Sequence, residues 1–304
     1  MNRSLLSRSY LFDRLIAGYS LLMILAILLL GRPLNQYVDE IFFYTGVVVL
    51  VTVIVHWLSE DQGGMYRLLR LLYPLILFTF LYRTTGGLMF LLFDGFFDGQ
   101  LCAFEKSLFG VNPTLYIDRN LLSPWLTEPI SLCYFSYYLM IPVFFITAYV
   151  RGSYALIRSA MSAICIMFFL SYLLFFLYPI EGPRWHFVGL YQNAVEGSVF
   201  RQLVEIVIEK GAVRGGCMPS SHFGVALVLL MYTFRYYARS VAWTASVFTL
   251  GLGVGTVWGR FHYVSDVVVG GLLGLIATLV IWKYSTDKQV QPRSSIRKEA
   301  NNVS

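Results

Sequence analysis

Long apolar runs, separated by short polar connectors, set the pattern of this chain. Eight runs stand out, at about residues 14–31, 41–58, 71–93, 129–150, 157–178, 219–236, 241–258 and 263–283. A helix needs about 20 apolar residues to cross the hydrocarbon of a bilayer. Backbone N–H and C=O groups find no water there, so each run is predicted to be a helix. No alternation of the β-barrel kind is present. The predicted fold is therefore all-α, a polytopic transmembrane bundle of about eight spans. The first run, Leu15 to Gly31, has the length of a signal sequence. No small-residue cleavage pattern follows it and further runs do, so it is read as a retained span.

Composition supports this class. Of 304 residues, 57% are hydrophobic and 13% charged, about half the charge of an average soluble domain at about 25%. With the N-terminus placed in the cytoplasm, the inner segments hold fourteen basic residues, from Arg3 and Arg8 to Arg297 and Lys298, against five acidic ones. The outer segments hold eight basic and twelve acidic residues. This asymmetry follows the positive-inside rule, and an even number of spans puts both termini in the cytoplasm. Residues 286–304 read as a disordered cytoplasmic tail. The net charge of +6 is no nucleic-acid signal, because the basic residues lie between runs and form no basic face. Four cysteines make no disulfide framework. Cys133 and Cys165 fall inside spans as packing residues, whereas Cys102 and Cys217 share one side, where a disulfide between them is one option. The absence of a cleavable signal and the modest loops suit a bacterial inner membrane.

Two outer segments, 94–128 and 179–218, are too long for tight turns. Cys102, Phe104, Leu108 and Phe109 alternate with charge like a short interfacial amphipathic helix. Phe200, Leu203, Val204, Val207 and Ile208 have helical spacing and read the same way. Such helices either roof a site or rest on lipid headgroups.

The chemistry lies at the outer ends of the runs. Pro219-Ser220-Ser221-His222 opens the sixth run. Proline suits the first turn of a helix, and the free N–H groups of that turn form an anion site. Ser220 and Ser221 add hydroxyls, and His222 stands within reach of a leaving-group oxygen. A plain helix cap with an interfacial histidine explains the same residues. Next, His262 and Asp266 are four residues apart, on one helical face. Asp266 would then orient the imidazole and leave the other nitrogen free to attack. A structural His–Asp pair is the alternative. Arg184 and Arg260 have the guanidinium forks that match phosphate oxygens, or they bind lipid headgroups at the interface. In the predicted topology Arg184, His222 and His262 share the outer face, although they come from different loops. Arg83 falls within the third run, just before Gly86-Gly87. A mid-helix arginine costs about 2.5 kcal/mol or more, so it is read as either a member of a substrate pocket or one half of an interhelix pair.

Taken in order, Arg184, then Pro219-Ser220-x-His222, then His262-x-x-x-Asp266 resembles the type 2 phosphatidic acid phosphatase superfamily. The resemblance covers roughly residues 70–285. That divides the chain into two additional N-terminal helices (1–70), a six-span catalytic core (71–285) and the tail. Leu177 stands where the superfamily has a lysine, Ser221 where it has a glycine and Thr256 where it has an arginine, and proline precedes Arg184. Thr256, Arg260-Phe261-His262-Tyr263, Asp266 and Gly270, together with Phe104 to Pro113, look like the branch of inositol phosphorylceramide synthases. The resemblance implies a lipid phosphatase or phosphotransferase without metal or cofactor. His262 is then the nucleophile, His222 the general acid and Asp266 the orienter, with Arg184, Arg260, Ser220 and Ser221 binding phosphate. Its partners are the bilayer, a lipid phosphate and an acceptor that is water or an alcohol; nucleic acid is not among them. A phosphatidate, a polyprenyl pyrophosphate or a phospholipid head-group donor fits as substrate. Two other readings compete. One is a zinc site built from His186, His222 and His262 with Asp266 or Glu181, although these lack tight metal spacing. The other is a transporter, although no inverted repeat is found.

Overall fold

The computed structural model describes residues 8–284; the predicted tail, 286–304, lies outside the described residues. The helices are α1 (Leu11–Leu30), α2 (Val38–Trp57), α3 (Gly64–Thr84), α4 (Asp98–Phe109), α5 (Pro113–Asn120), α6 (Pro124–Val150), α7 (Tyr154–Leu177), α8 (Pro183–His186), α9 (Val199–Gly211), α10 (Ser221–Tyr236), α11 (Arg239–Trp258) and α12 (Val264–Tyr284). Among the described residues no strand forms, and one isolated bridge joins Ile180 to Gly216. The fold is thus a polytopic helical bundle.

Among the described residues seven elements are long and apolar enough to cross a membrane: α1, α2 with the 3-10 turn before it, α3 with the turn after it, α6, α7, α11 and α12. The remaining predicted run, the sixth, at 219–236, becomes α10, which has 16 residues. At about 1.5 Å per residue that is about 24 Å, short of a bilayer core of about 30 Å. The reason is local, since Cys217 to Ser220 leave helical geometry and form a turn ahead of the helix. Even so, α10 runs through the bundle beside α6. Its first turn stands next to Tyr134, ring centroids of Tyr134 and His222 being 5.9 Å apart. At its far end the Tyr237 hydroxyl meets Thr147 Oγ1 at 3.1 Å. The start of α10 is therefore sunk below the start of α6 by nearly three turns, counting from Pro124 to Tyr134 at about 3.6 residues per turn.

The long helices alternate in direction. The starts of α1, α3 and α7 meet the ends of α2, α6, α10 and α12 at one end of the bundle. There Arg70 pairs with Asp13, Arg158 with Glu60 at 2.8 Å, and Arg235 lies 4.5 Å from the Trp282 ring centre. The central helix is α7, whose Ser159, Ala160, Ser162 and Ala163 are buried. Small residues let helix backbones approach where there is no hydrophobic force between spans. The same device joins α10 to α12: a Cβ at Gly270 would come within 3.0 Å of the Ser220 carbonyl carbon and 3.2 Å of its nitrogen.

Both predicted amphipathic helices form, as α4 and α9. Beneath α4 a second small apolar cluster holds Leu101, Ile180, Phe187, Cys217 and Tyr263. Arg83 is not mid-helix. It is in the last turn of α3, which gives way to a 3-10 turn at Thr85–Leu88, and it is exposed. A cation there complements the C-terminal end of the helix dipole. Cys102 and Cys217 are free thiols, so no disulfide joins them.

Candidate active site

The end of the bundle opposite the Arg70–Asp13 pair gathers the motif residues. Four acidic side chains from residues 94–128 staple its loops to the helices. Asp98 is buried and accepts hydrogen bonds from the N–H groups of Glu181 (2.7 Å) and Gly182 (2.9 Å) and from the Tyr263 hydroxyl (2.9 Å). It therefore ties the segment before Arg184 to the residue after His262. Gly182 sits at φ +102, a conformation natural only to glycine, and a Cβ there would stand 3.1 Å from Cys217 Sγ. Asp118 accepts from Gln192 N–H (2.9 Å) and from Arg260 (2.5 Å). Glu105 caps the start of α12 through Ser265 N–H at 2.7 Å; burial raises its carboxyl pKa above the usual range, against the pull of that bond. Glu128 caps α9 through Ser198 and Phe200 N–H at 2.8 and 2.7 Å.

On this frame the two imidazoles converge. The ring centroids of His222 and His262 are 6.4 Å apart, and both line one cavity of about 350 Å³. His262 is buried and lies two residues before α12, not within it. The pairing expected for a shared helical face arises instead from a capping turn. Thr256 O accepts from Phe261 and His262 N–H at 2.8 and 3.0 Å. Asp266 Oδ2 accepts from Tyr263 N–H at 2.8 Å, which caps the helix, and stands 3.5 Å from His262 Nδ1, the outer limit of a hydrogen bond. Cys217 Sγ also donates to Asp266 Oδ2, at 2.9 Å. Burial, and then the Asp266 charge, push that thiol well above its usual pKa. Asp266 Oδ1 has no partner among the described residues.

The phosphate-binding candidates divide. Ser221 and Arg184 line the cavity with the histidines. Ser221 begins α10, so its N–H has no intrahelical partner. Pro219 precedes the first turn rather than occupying it. Ser220 is the residue before α10 and does not line the cavity; its N–H donates to Asp266 O at 2.9 Å and its buried hydroxyl has no partner. Arg260 is also outside the cavity. It has φ +66, bonds Asp118 and the Asn193 carbonyl at 2.5 Å each, and lies 3.7 Å from the Tyr191 ring centre. Arg83 is outside the cavity too, and makes no ion pair among the described residues. Arg184 pairs with Glu205 of α9. The Thr256 hydroxyl folds back onto Gly253 O at 2.7 Å.

Sequence reasoning missed the roles of Asp98, Cys217 and Arg201: Cys217 lines the cavity, whereas Asp98 and Arg201 stand outside it, Asp98 holding the segment before Arg184 and Arg201 sharing Glu205 with Arg184. The three histidines of the zinc reading are not gathered together. Donor atoms cluster instead as Cys217, His262 and Asp266, and as Asp98, Glu181 and His186. In the second group the Asp98 oxygens are already used by the loop, and Glu181 pairs with Arg214.

Below the histidines the cavity is apolar and aromatic. Leu75, Phe78, Thr79 and Tyr82 of α3 form one wall, Tyr134, Tyr137, Tyr138 and Ile141 of α6 another, and Ile164, Phe168 and Tyr172 of α7 the back. Val207 and Ile208 of α9 form the roof. Both α3 and α6 pack on α7, with the cavity between them. The two histidines thus stand at one end of an apolar cavity inside a bundle of helices long and apolar enough to cross a membrane. A family model of the PAP2 superfamily matches residues 99–280, more than half of the chain, and the chain belongs to that superfamily. Membership supports a phosphatase-type activity on lipid phosphates. No curated protein and no solved structure matches the chain.

Proposed function

We propose that this protein cleaves a lipid phosphate ester or pyrophosphate through a phosphohistidine on His262, at the exoplasmic face of a bacterial inner membrane. The observation that carries this reading is the 6.4 Å approach of the two imidazoles at the polar end of a cavity that is otherwise apolar. Asp266 holds Nδ1 of His262, which leaves Nε2 to attack phosphorus. The P–O bond to the lipid alcohol breaks as the P–N bond forms. His222 gives its proton to the departing alkoxide as general acid. In the second step His222 takes a proton from the acceptor, whose oxygen attacks phosphorus, and the P–N bond breaks. Arg184 and the Ser221 N–H hold the equatorial oxygens while charge develops on them. No metal enters these steps. The lipid chain lies between α3 and α6 against α7. The excess of cations at the end of the bundle opposite the histidines supports cytoplasmic termini.

Water as acceptor gives a phosphatase, and an alcohol gives a phosphotransferase. A second reading, head-group transfer of the inositol phosphorylceramide synthase type, is favoured by the burial of His262 at the end of a tyrosine-rich cavity, which limits water at the phosphorylated ring. The test is incubation of purified protein with labelled lipid phosphate and candidate alcohols. Label released as inorganic phosphate marks hydrolysis, and label in a new lipid marks transfer. Undiminished activity in His262→Ala would refute the mechanism.

A further inference from the structure

We propose that Arg201, on the roof helix α9, is the second phosphate-binding guanidinium of the site, partnered with Arg184 through the Glu205 carboxylate. This rests on the phosphohistidine reading and completes its phosphate cradle. A phosphoryl group in transit between two oxygens spreads charge over its equatorial oxygens, and one guanidinium leaves part of that charge unmatched. Two positions nominated by motif spacing do not serve. Thr256 is turned back on its own helix, and Arg260 is held by Asp118, Asn193 and Tyr191.

Arg201 also stands outside the cavity lining, but unlike either it shares a carboxylate with Arg184, which does line the cavity. It shares a face of α9 with Val204 and Ile208, three and seven residues on, and those two are buried. An arginine on the buried stripe of an amphipathic helix takes up a position that an apolar residue would fill more cheaply. Its Cζ lies 5.6 Å from the ring centre of Phe261, which lines the cavity beside His262. Its Nη2 donates to Glu205 Oε2 at 2.6 Å, while Arg184 donates to Glu205 Oε1. Two guanidinia, one on each oxygen of a carboxylate, stand as they would on two oxygens of a phosphate. Glu205 keeps them at that separation, and the Glu128 cap fixes the helix that carries Arg201. Nε of Arg201 donates to Val195 O at 3.2 Å, and Nη1 has no hydrogen-bond partner among the described residues. Burial, opposed by Glu205 and then assisted by Arg184 and Arg260, lowers the pKa of Arg201.

The test measures competitive inhibition by orthovanadate and by inorganic phosphate, with purified full-length protein and a lipid phosphate substrate. Arg201→Ala is expected to raise both inhibition constants and KM by about tenfold or more, the loss of one charge-assisted hydrogen bond. Arg201→Lys recovers part of the loss. Lys210→Ala, which removes an exposed cation from the same helix, leaves both constants unchanged. Inhibition constants unchanged in Arg201→Ala, or equal losses in Lys210→Ala, would overturn the proposal. Thermal melting checks that each variant is folded; Arg201→Gln replaces Arg201→Ala if the latter is not. An active His262→Ala removes the phosphohistidine reading whatever Arg201 does. An inactive His262→Ala with unaltered Arg201 variants removes only the role of Arg201.

Discussion

At the end of the bundle where α1 begins, Asp13 and Arg70 are both buried, and the Asp13 carboxylate is fully used. It pairs with Arg70 and accepts from the Tyr73 hydroxyl at 2.7 Å and from Tyr10 N–H at 2.6 Å. The Arg70 guanidinium also lies 4.1 Å from the Tyr10 ring centre. At the opposite end Asp266 is just as buried, but one of its oxygens is unpartnered, as is the Ser220 hydroxyl beside it, and two imidazoles border a cavity. Buried polar groups are normally satisfied. A closed network holds helices together, whereas the open one lies against His262, which lines the cavity.

This contrast can be broken by substitution at either end. The largest effect is expected at the open end: His262→Ala leaves no turnover, and His222→Ala lowers kcat by about 10²–10⁴-fold, the usual worth of a general acid. Both variants should melt near the wild-type temperature. At the closed end, Asp13→Ala leaves the Arg70 charge buried and unpaired, which costs about 3–5 kcal/mol. Denaturation should register that loss, with kcat of the folded protein unchanged. Gly270→Ala is expected to cost about 1–3 kcal/mol through overpacking against Ser220. Unlike Asp13→Ala, it should also lower kcat, because it displaces the turn that carries His222. The smallest effect is expected from a chelator: prolonged dialysis against EDTA should leave the rate unchanged, and a loss restored by zinc would revive the metal reading.

Much of this was legible in the sequence where the signal is local. The apolar runs predict the long helices because a bilayer leaves the backbone no other partner. Pro219 to His222 and His262 to Asp266 were readable because each motif is built within a few residues. The exceptions have two causes, partners distant in sequence and a helix end hidden in an apolar run. Arg260 was a natural substitute for the arginine missing at Thr256, yet its partner Asp118 is 142 residues away and its positive φ leaves no mark in composition. Arg83 was placed mid-span because Gly86-Gly87 sit in an apolar run that hides the end of α3. Asp98 went unnoticed because its partners are 83 to 165 residues distant. The acidic surplus of the outer segments was read as topology, although Asp98, Glu105, Asp118 and Glu128 spend their carboxylates on loop N–H groups. The buried stripe of α9 was visible as periodicity, but the arginine within it stands out only once the cavity is known.

The most direct measurement is a rapid quench of the purified protein during turnover of a radiolabelled lipid phosphate, followed by peptide mapping. The account predicts phosphate on His262, stable to base and labile to acid, in amounts that rise before product and decay with it. Steady turnover without that adduct, or label on a serine or on His222 alone, would contradict it.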